Sequence, residues 1–260
     1  MSLAMLFKPE TRHTIERVRQ EPKKRLLTVE TRTLLTPSML RLTFSSPDLA
    51  DFSSRAPDDH IKLFLPDPNN PGQTLMRDYT PRAFDAARQI LTLDFAVHEA
   101  GPAIAWALKA RPGDPLTIGG PRGSVVVADD FDFYLLVGDE SALPAILRRV
   151  ECLRADVAVT SVVVVNGPED AQAVATAAHW TPIWVFRRGD HADDATLLRR
   201  ALNAWRAPSG DGYVWIAAEA GVARRLRDYM IEDRGHPKTW MKASGYWVRG
   251  AAGASEKLDA

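Results

Sequence analysis

The segment "FDFYLLVGDESALPAILRRVECLRA" (residues 131–155) decides the fold of the second half of the chain. It opens with an apolar run that does not alternate with polar residues, which is typical of a strand buried on both faces of a parallel sheet. A helix-like segment follows it. The same pairing of an apolar run with a helix-like segment recurs in "SVVVVN" with "EDAQAVATAAH", in "PIWVF" with "DDATLLRRALNAWR", and in "GYVWIAA" with "GVARRLRDYMIEDRG". The alternation predicts an open parallel sheet with flanking helices, of the nucleotide-binding type, over residues 129–250, and "TWMKASGYWVRG" supplies a candidate last strand.

Residues 23–128 have a different texture. Short runs such as "HIKLFLP" and "ILTLDFAVH" alternate apolar and polar residues and are bounded by Pro, Gly, Asn and Asp. Several such runs in succession predict a small antiparallel Greek-key β-barrel, interrupted by one helix in "GPAIAWALKARPGD". We expect residues 1–22 to form a tail or a short helix and residues 251–260 to form a fraying C-terminal tail.

Composition excludes several classes of function. Lys and Arg total 33 and Asp and Glu total 33, so bulk attraction to nucleic acid is not expected. A single cysteine rules out an internal disulfide and a cysteine metal site, and six histidines without ligand spacing indicate no protein metal site. The N-terminus does not resemble a signal peptide, and no apolar run is long enough for a membrane span, so we expect a cytoplasmic protein. The lack of an obvious exposed apolar stripe favours a monomer.

The stretch "RDYTPR" (residues 77–82) carries the first candidate site. Arg77 is a permanent cation suited to phosphate, Tyr79 offers an aromatic face and Thr80 a hydroxyl group. About twenty residues later, Asp94 and His98 fall on one face of a strand, and the chain then enters a helix whose backbone N–H groups can bind an anion. The alternative interpretation is a hairpin end with a surface arginine.

A second candidate site follows the first parallel strand, in "GDESALPAI" (residues 138–146). Open sheets bind ligands at the carboxyl ends of their strands, although Asp139, Glu140 and Ser141 also suit an ordinary helix cap. A GxGxxG loop is absent. Arg187 and Arg188 follow the third parallel strand, where a 2′-phosphate would bind, or they form a solvated charge pair.

Taken in order, "RDYTPR", "LDFAVHEAGPAIAWALKARPGD", "GGPRGS", "LLVGDESALPAI" and "GYWVRG" resemble the siderophore-interacting protein family from about residue 25 to residue 250. The resemblance implies an FAD-binding barrel, an NAD(P)H-binding domain and reduction of ferric siderophores in the cytoplasm. It implies that Thr80 lies at the edge of the flavin that accepts hydride. The other implied cofactor contacts are Arg77, Asp78, Tyr79, Asp94, His98, Gly101, Pro102 and Ala103 for FAD, and Gly138, Asp139, Glu140 and Ser141 for the nicotinamide nucleotide, to which Arg187 is added from its place after the third strand. Tyr246 and Trp247 are candidates for packing near the flavin, with packing in the core as the alternative.

The chain departs from the family pattern at two positions. Ala103 stands where many relatives carry serine, and Ala218 stands where a glycine is usual. Both changes lend some support to a non-enzymatic ferric-siderophore-binding protein that has lost its cofactor. A general flavin reductase or ferredoxin-type reductase is a second alternative. An esterase is disfavoured because Ser141 is not in a GxSxG elbow.

The expected substrate is an anionic ferric siderophore, which needs a local basic pocket in a chain without net charge. Lys62, Arg122 and Arg249 are the candidates, and each is equally readable as a surface charge. In the implied reaction, hydride passes from NADPH or NADH to the flavin, and single electrons then pass to Fe(III). The class of siderophore and the choice between NADH and NADPH stay open at this stage.

Overall fold

The computed structural model describes residues 12–67, 70–97, 101–187, 193–251 and 253–258. The first half contains nine strands and one helix among these residues: β1 (Ile15–Arg19), β2 (Lys24–Thr36), β3 (Met39–Ser45), β4 (Ile61–Pro66), β5 (Thr74–Tyr79), β6 (Pro81–Asp85), β7 (Ile90–Ala96), α1 (Pro102–Lys109), β8 (Pro115–Gly119) and β9 (Gly123–Val127).

Seven of these strands form one antiparallel sheet in the order β5-β4-β8-β2-β3-β7-β6. In β4 the alternation read from the sequence is confirmed, because Ile61, Leu63 and Leu65 are buried while Lys62 is half-buried. Phe44 and Phe95 fill the interior of the curled sheet, and α1 packs against the same core. Strands β1 and β9 pair separately as a two-stranded ribbon.

The second half contains β10 (Phe133–Gly138), α2 (Leu143–Cys152), β11 (Ala158–Val165), β12 (His179–Phe186), α3 (Asp194–Ala204), β13 (Gly212–Glu219), α4 (Ala220–Glu232), β14 (Met241–Trp247) and β15 (Glu256–Leu258). The sheet order is β12-β11-β10-β13-β14-β15, and every pairing is parallel except that of β15 with β14. Helices α3 and α4 bury one face of the sheet and α2 the other. The predicted barrel followed by an open parallel sheet is confirmed.

Three local predictions were wrong within the described residues. Residues 15–19 form a strand, because β9 offers them a pairing partner. Residues 256–258 also form a strand rather than a frayed tail, and Leu258 is buried. The segment "EDAQAVATAAH" contains no helix beyond a short turn at Pro168–Asp170. Tertiary hydrogen bonds hold it in an irregular conformation, since the Asp170 carboxylate accepts from Ser38 N (3.0 Å) and Thr176 Oγ1 donates to Val150 O (2.6 Å).

The two halves are joined by charged side chains at their seam. Arg148 on α2 donates to the carbonyl oxygens of Pro81 (2.8 Å) and Ser54 (2.7 Å). Arg82 on β6 forms a bidentate ion pair with Glu151 on α2, at 2.6 and 2.7 Å. These contacts hold the end of "RDYTPR" directly against the α/β half. None of the helices in the described part of the chain is long and apolar enough to cross a membrane.

Candidate active site

A single cavity of 1890 Å³ lies between the barrel and the parallel sheet. Its volume exceeds the roughly 300–1,000 Å³ of a pocket that holds one small ligand, so it has room for two. Residues 77–80 and the start of α1 line it on the barrel side. The other side is lined by the segment after β10, by the ends of β13 and β14, and by the residues that follow β14. The structure therefore brings both predicted site regions to one cavity.

The stretch "RDYTPR" forms the end of β5 and the turn into β6. Thr80 is 7% exposed at this turn, between the two sheets of the molecule. The ring of Tyr79 packs on Phe95, with 4.5 Å between centroids, and burial raises the pKa of its phenol. Arg77 lines the cavity, and its guanidinium donates to its neighbour's carbonyl oxygen, Met76 O (2.8 Å). Asp78 lines the cavity too, with its carboxylate 2.7 Å from Lys62 Nζ.

The N-terminus of α1 supplies backbone donors to the same wall. Gly101 is the N-cap residue and makes no side-chain capping bond, and the N–H of Ala105 is the first to bond back to it (2.9 Å). The N–H groups of Ala103 and Ile104 precede that bond, and both residues line the cavity with Gly101 and Pro102. This arrangement suits a phosphate group. The Ala103 methyl is buried in the barrel core, so its lack of a hydroxyl leaves these donors unaffected.

Asp94 also lies on the cavity wall, but its carboxylate is neutralised by arginines of the barrel. Arg41 donates to both of its carboxylate oxygens at 2.7 Å, and Arg82 lies 3.7 Å away. Asp94 therefore holds two arginines in place on the barrel. His98 and Arg188, the other predicted candidates in these regions, lie outside the described residues.

Asp139 organises the wall on the α/β side. It is 2% exposed, and its carboxylate accepts from Ser141 N (2.9 Å), Glu219 N (3.0 Å) and Trp247 Nε1 (2.9 Å). The ends of three parallel strands, β10, β13 and β14, thus meet at one carboxylate. The consequence is that the indole of Trp247 is fixed on the cavity wall.

Gly138 and Ala218 do not line the cavity. A Cβ at position 138 would lie 2.5 Å from Ala217 O and 2.7 Å from the Ala142 methyl, so close packing requires this glycine. The Ala218 methyl is fully buried in the core beneath α3 and α4. It does not restrict the approach of a ligand.

Arg187 is enclosed by acceptors at the carboxyl edge of the sheet. Its Nε and Nη2 donate to the Asp194 carboxylate, both at 2.9 Å. Its Nη2 and Nη1 donate to the Glu140 carboxylate, and Nη1 also donates to Asn166 Oδ1 (3.0 Å). Burial alone would lower the pKa of Arg187, but the hydrogen bonds to these two carboxylates raise it.

A buried carboxylate that the sequence analysis missed lies at the contact between the barrel and the parallel sheet. Asp58 is 9% exposed and accepts from Trp215 Nε1 (3.2 Å), Lys242 Nζ and Arg149 Nη2 (3.4 Å). The cavity is lined by Asp58, Lys242 and Tyr246, and burial raises the pKa of the Tyr246 phenol. Glu219, also missed, caps α4 and accepts from Arg249 N (3.2 Å). Its place at the end of a parallel strand was a signal that the sequence contained.

Of the three residues predicted to bind the substrate, only one lines the cavity. Arg249 is exposed and lines the cavity. Lys62 and Arg122 do not line it, and Lys62 is paired with Asp78. The C-terminal residues line the cavity as well, and Gly253 lies so close to Arg77 that a Cβ there would be 2.5 Å from Nη1.

Comparison with known proteins identifies the family of the chain. Residues 131–250 match the model "Siderophore-interacting protein", and residues 28–125 match "Siderophore-interacting FAD-binding domain" in two overlapping segments. A relative from Escherichia coli, named NADPH-dependent ferric-chelate reductase, is 32% identical over 89% of this chain and 96% of its own length. The chain belongs to the siderophore-interacting protein family. The resemblance read from the sequence is therefore confirmed.

Two further proteins of the family support the assignment. The ferric vibriobactin reductase of Vibrio cholerae is 26% identical over 87% of this chain and 90% of its own length. The crystal structure of a siderophore utilization protein from T. fusca superposes with a TM-score of 0.86 at 33% identity, covering 93% of this chain and 98% of that one. The barrel is thus an FAD-binding domain, and the donors at the start of α1, with Arg77, fit the negative charge of the FAD pyrophosphate.

Proposed function

We propose that the protein is an FAD-dependent oxidoreductase that uses NAD(P)H to reduce ferric siderophores and release Fe(II) in the cytoplasm. The observation that carries the proposal is the single cavity that joins the barrel donors to the carboxyl edge of the parallel sheet. A nicotinamide nucleotide at that edge would share this cavity with a flavin held by the barrel. The names of the relatives from E. coli and V. cholerae support ferric chelates as the electron acceptor.

In this proposal the barrel binds and orients the cofactor. The N–H groups of Ala103 and Ile104 and the Arg77 guanidinium bind the pyrophosphate, and Tyr79 and Thr80 contact the ring system. Bound FAD supplies the conversion of a two-electron donor into the single electrons that Fe(III) accepts. The Thr80 hydroxyl is proposed to lie at the edge of the ring where hydride arrives.

The α/β half contributes a rigid wall to the reaction site. Asp139 accepts a hydrogen bond from the Trp247 indole. The ring of Tyr246 packs edge-on against Trp215, whose indole donates to the Asp58 carboxylate. Arg249 is the proposed contact for an anionic ferric chelate, because it is exposed and lines the cavity. No general acid or base is required at the iron, since reduction itself weakens the hold of an oxygen-rich chelator.

The test is a visible absorption titration of the purified protein reconstituted with FAD. Anaerobic NADH or NADPH is expected to bleach the flavin bands, and a ferric siderophore is expected to restore them while an Fe(II)-specific chelator develops colour. Thr80→Val should slow the bleaching, and circular dichroism checks that the variant is folded.

The same titration separates the competing functions. Restoration by free flavin or ferredoxin, but not by a ferric siderophore, would favour a flavin or ferredoxin-type reductase. A protein that binds ferric siderophore but retains no FAD would favour a non-enzymatic binding protein. Analytical ultracentrifugation checks the expectation of a monomer.

A further inference from the structure

The carboxyl edge of strands β10, β11 and β12 contains a closed charge cluster. Glu140 follows β10, Asn166 follows β11, Arg187 follows β12, and Asp194 begins α3. A guanidinium has five N–H donors, and Arg187 makes five hydrogen bonds to these three partners. No N–H of Arg187 is left for a phosphate oxygen.

The charge of the cluster has the wrong sign for a phosphate. Arg187 contributes one positive charge and Asp194 one negative charge, while burial raises the pKa of Glu140 against the opposing effect of Arg187. The net charge is therefore −1 with Glu140 ionised and zero with Glu140 protonated. In neither state does a positive charge remain in excess.

Among the residues that the structure describes, a further cation on this edge is neutralised as well. Arg225 on α4 donates to both oxygens of the Asp193 carboxylate, and both residues line the cavity. Across the two pairs, two arginines face three carboxylates. A carboxylate at this edge is the acceptor that a ribose 2′-hydroxyl uses in NAD sites, whereas an unpaired arginine is what a 2′-phosphate uses in NADP sites.

We infer that Glu140 and Asp194 make this edge selective for a nicotinamide dinucleotide without a 2′-phosphate, so that NADH rather than NADPH is the electron donor. The inference rests on the proposed function, because it names the donor for the nucleotide side of the same cavity. It separates this chain from the E. coli relative, whose name specifies NADPH. Arg187 is then a positioning residue that holds the two carboxylates.

The test measures the binding of two adenosine fragments to the full chain by isothermal titration calorimetry. Adenosine 5′-monophosphate represents NADH, and adenosine 2′,5′-bisphosphate represents NADPH. We expect the monophosphate to bind about tenfold more tightly, because the 2′-phosphate meets like charge. Equal or tighter binding of the bisphosphate would overturn the inference and leave the proposed function standing, whereas no binding of either fragment would count against both.

Two variants assign the effect to the cluster. Asp194→Asn and Glu140→Gln each remove one carboxylate beside Arg187, and each should bring the affinity ratio of the two fragments close to one. Asp233→Asn is the matched control, since it removes a carboxylate from an exposed ion pair with Arg199 that does not line the cavity. A wild-type ratio in both cluster variants, with unchanged circular dichroism, would overturn the assignment. The ratio of KM values for NADH and NADPH should follow the fragment ratio.

Discussion

Asp58 is the residue whose loss should disturb the joint between the two halves most. Its carboxylate comes from the barrel half, and it accepts hydrogen bonds from Trp215, Lys242 and Arg149 of the α/β half. The Arg149 side chain is 8% exposed and that of Lys242 is 32% exposed. Asp58→Ala therefore leaves one buried cation and one half-buried cation without a counter-charge.

The expected cost follows from that burial. Removing one partner of a buried ion pair lowers the free energy of unfolding by about 3–5 kcal/mol. For a chain of this size, each kcal/mol shifts the melting temperature by roughly 2–4 °C, so Asp58→Ala should melt roughly 6–20 °C below the wild type. Asp58→Asn keeps an acceptor for Trp215 Nε1 but loses the charge, so it should fall between the two.

Differential scanning calorimetry measures the effect, and pH supplies a second check. Burial alone would raise the pKa of Asp58, but the charges of Lys242 and Arg149 lower it below its ordinary value. Its contribution to stability is therefore complete above about pH 4 and is lost as the pH falls through the lowered pKa of the folded state. Asp233→Asn, in an exposed pair, should cost less than about 1 kcal/mol. Equal melting temperatures for Asp58→Ala and Asp233→Asn would refute the reasoning.

Three further predictions concern the cavity and its walls. Arg77→Ala should weaken FAD binding by roughly tenfold or more in a flavin fluorescence titration, because a charged hydrogen-bond partner is lost, whereas the exposed Arg88→Ala should not change it. Gly253→Ala should also weaken FAD binding, since its methyl would meet the Arg77 guanidinium. Gly250→Ala, with the same positive φ but no atom within 4 Å of the added methyl, should leave FAD affinity unchanged. Gly138→Ala should lower the free energy of unfolding by about 1–3 kcal/mol in chemical denaturation, because its methyl overlaps Ala217 O, and a wild-type midpoint would contradict this.

Local patterning was enough to predict the architecture. Apolar and polar residues alternate in β4, which predicts an antiparallel sheet with one buried face. The continuous apolar runs of β10 and β13 predict a parallel sheet buried on both faces. The irregular segment 171–178 was predicted to be a helix because its alanines favour helix, while the hydrogen bonds that override this preference come from distant residues such as Ser38.

The site was only partly predictable for the same reason. Thr80 and Trp247 belong to recognisable motifs, and the structure places both on the cavity. Asp58 and Lys242 are 184 residues apart and have no local signature, so only the docking of the two halves reveals their pairing. The hydrogen bonds that enclose Arg187 were equally unpredictable, since an arginine at a strand end has the same local sequence whether its side chain is free or paired.

The position of the C-terminal residues has a consequence for biosynthesis. Gly253 packs against Arg77, and β15 completes the edge of the sheet next to the cavity. These residues emerge from the ribosome after the barrel strands and after β10 to β14 have been translated. A nascent chain that stops at Trp247 already has the barrel and the parallel strands, yet it lacks one wall of the cavity. Full-affinity capture of the flavin is thus expected only after residue 258 has been added and folded back.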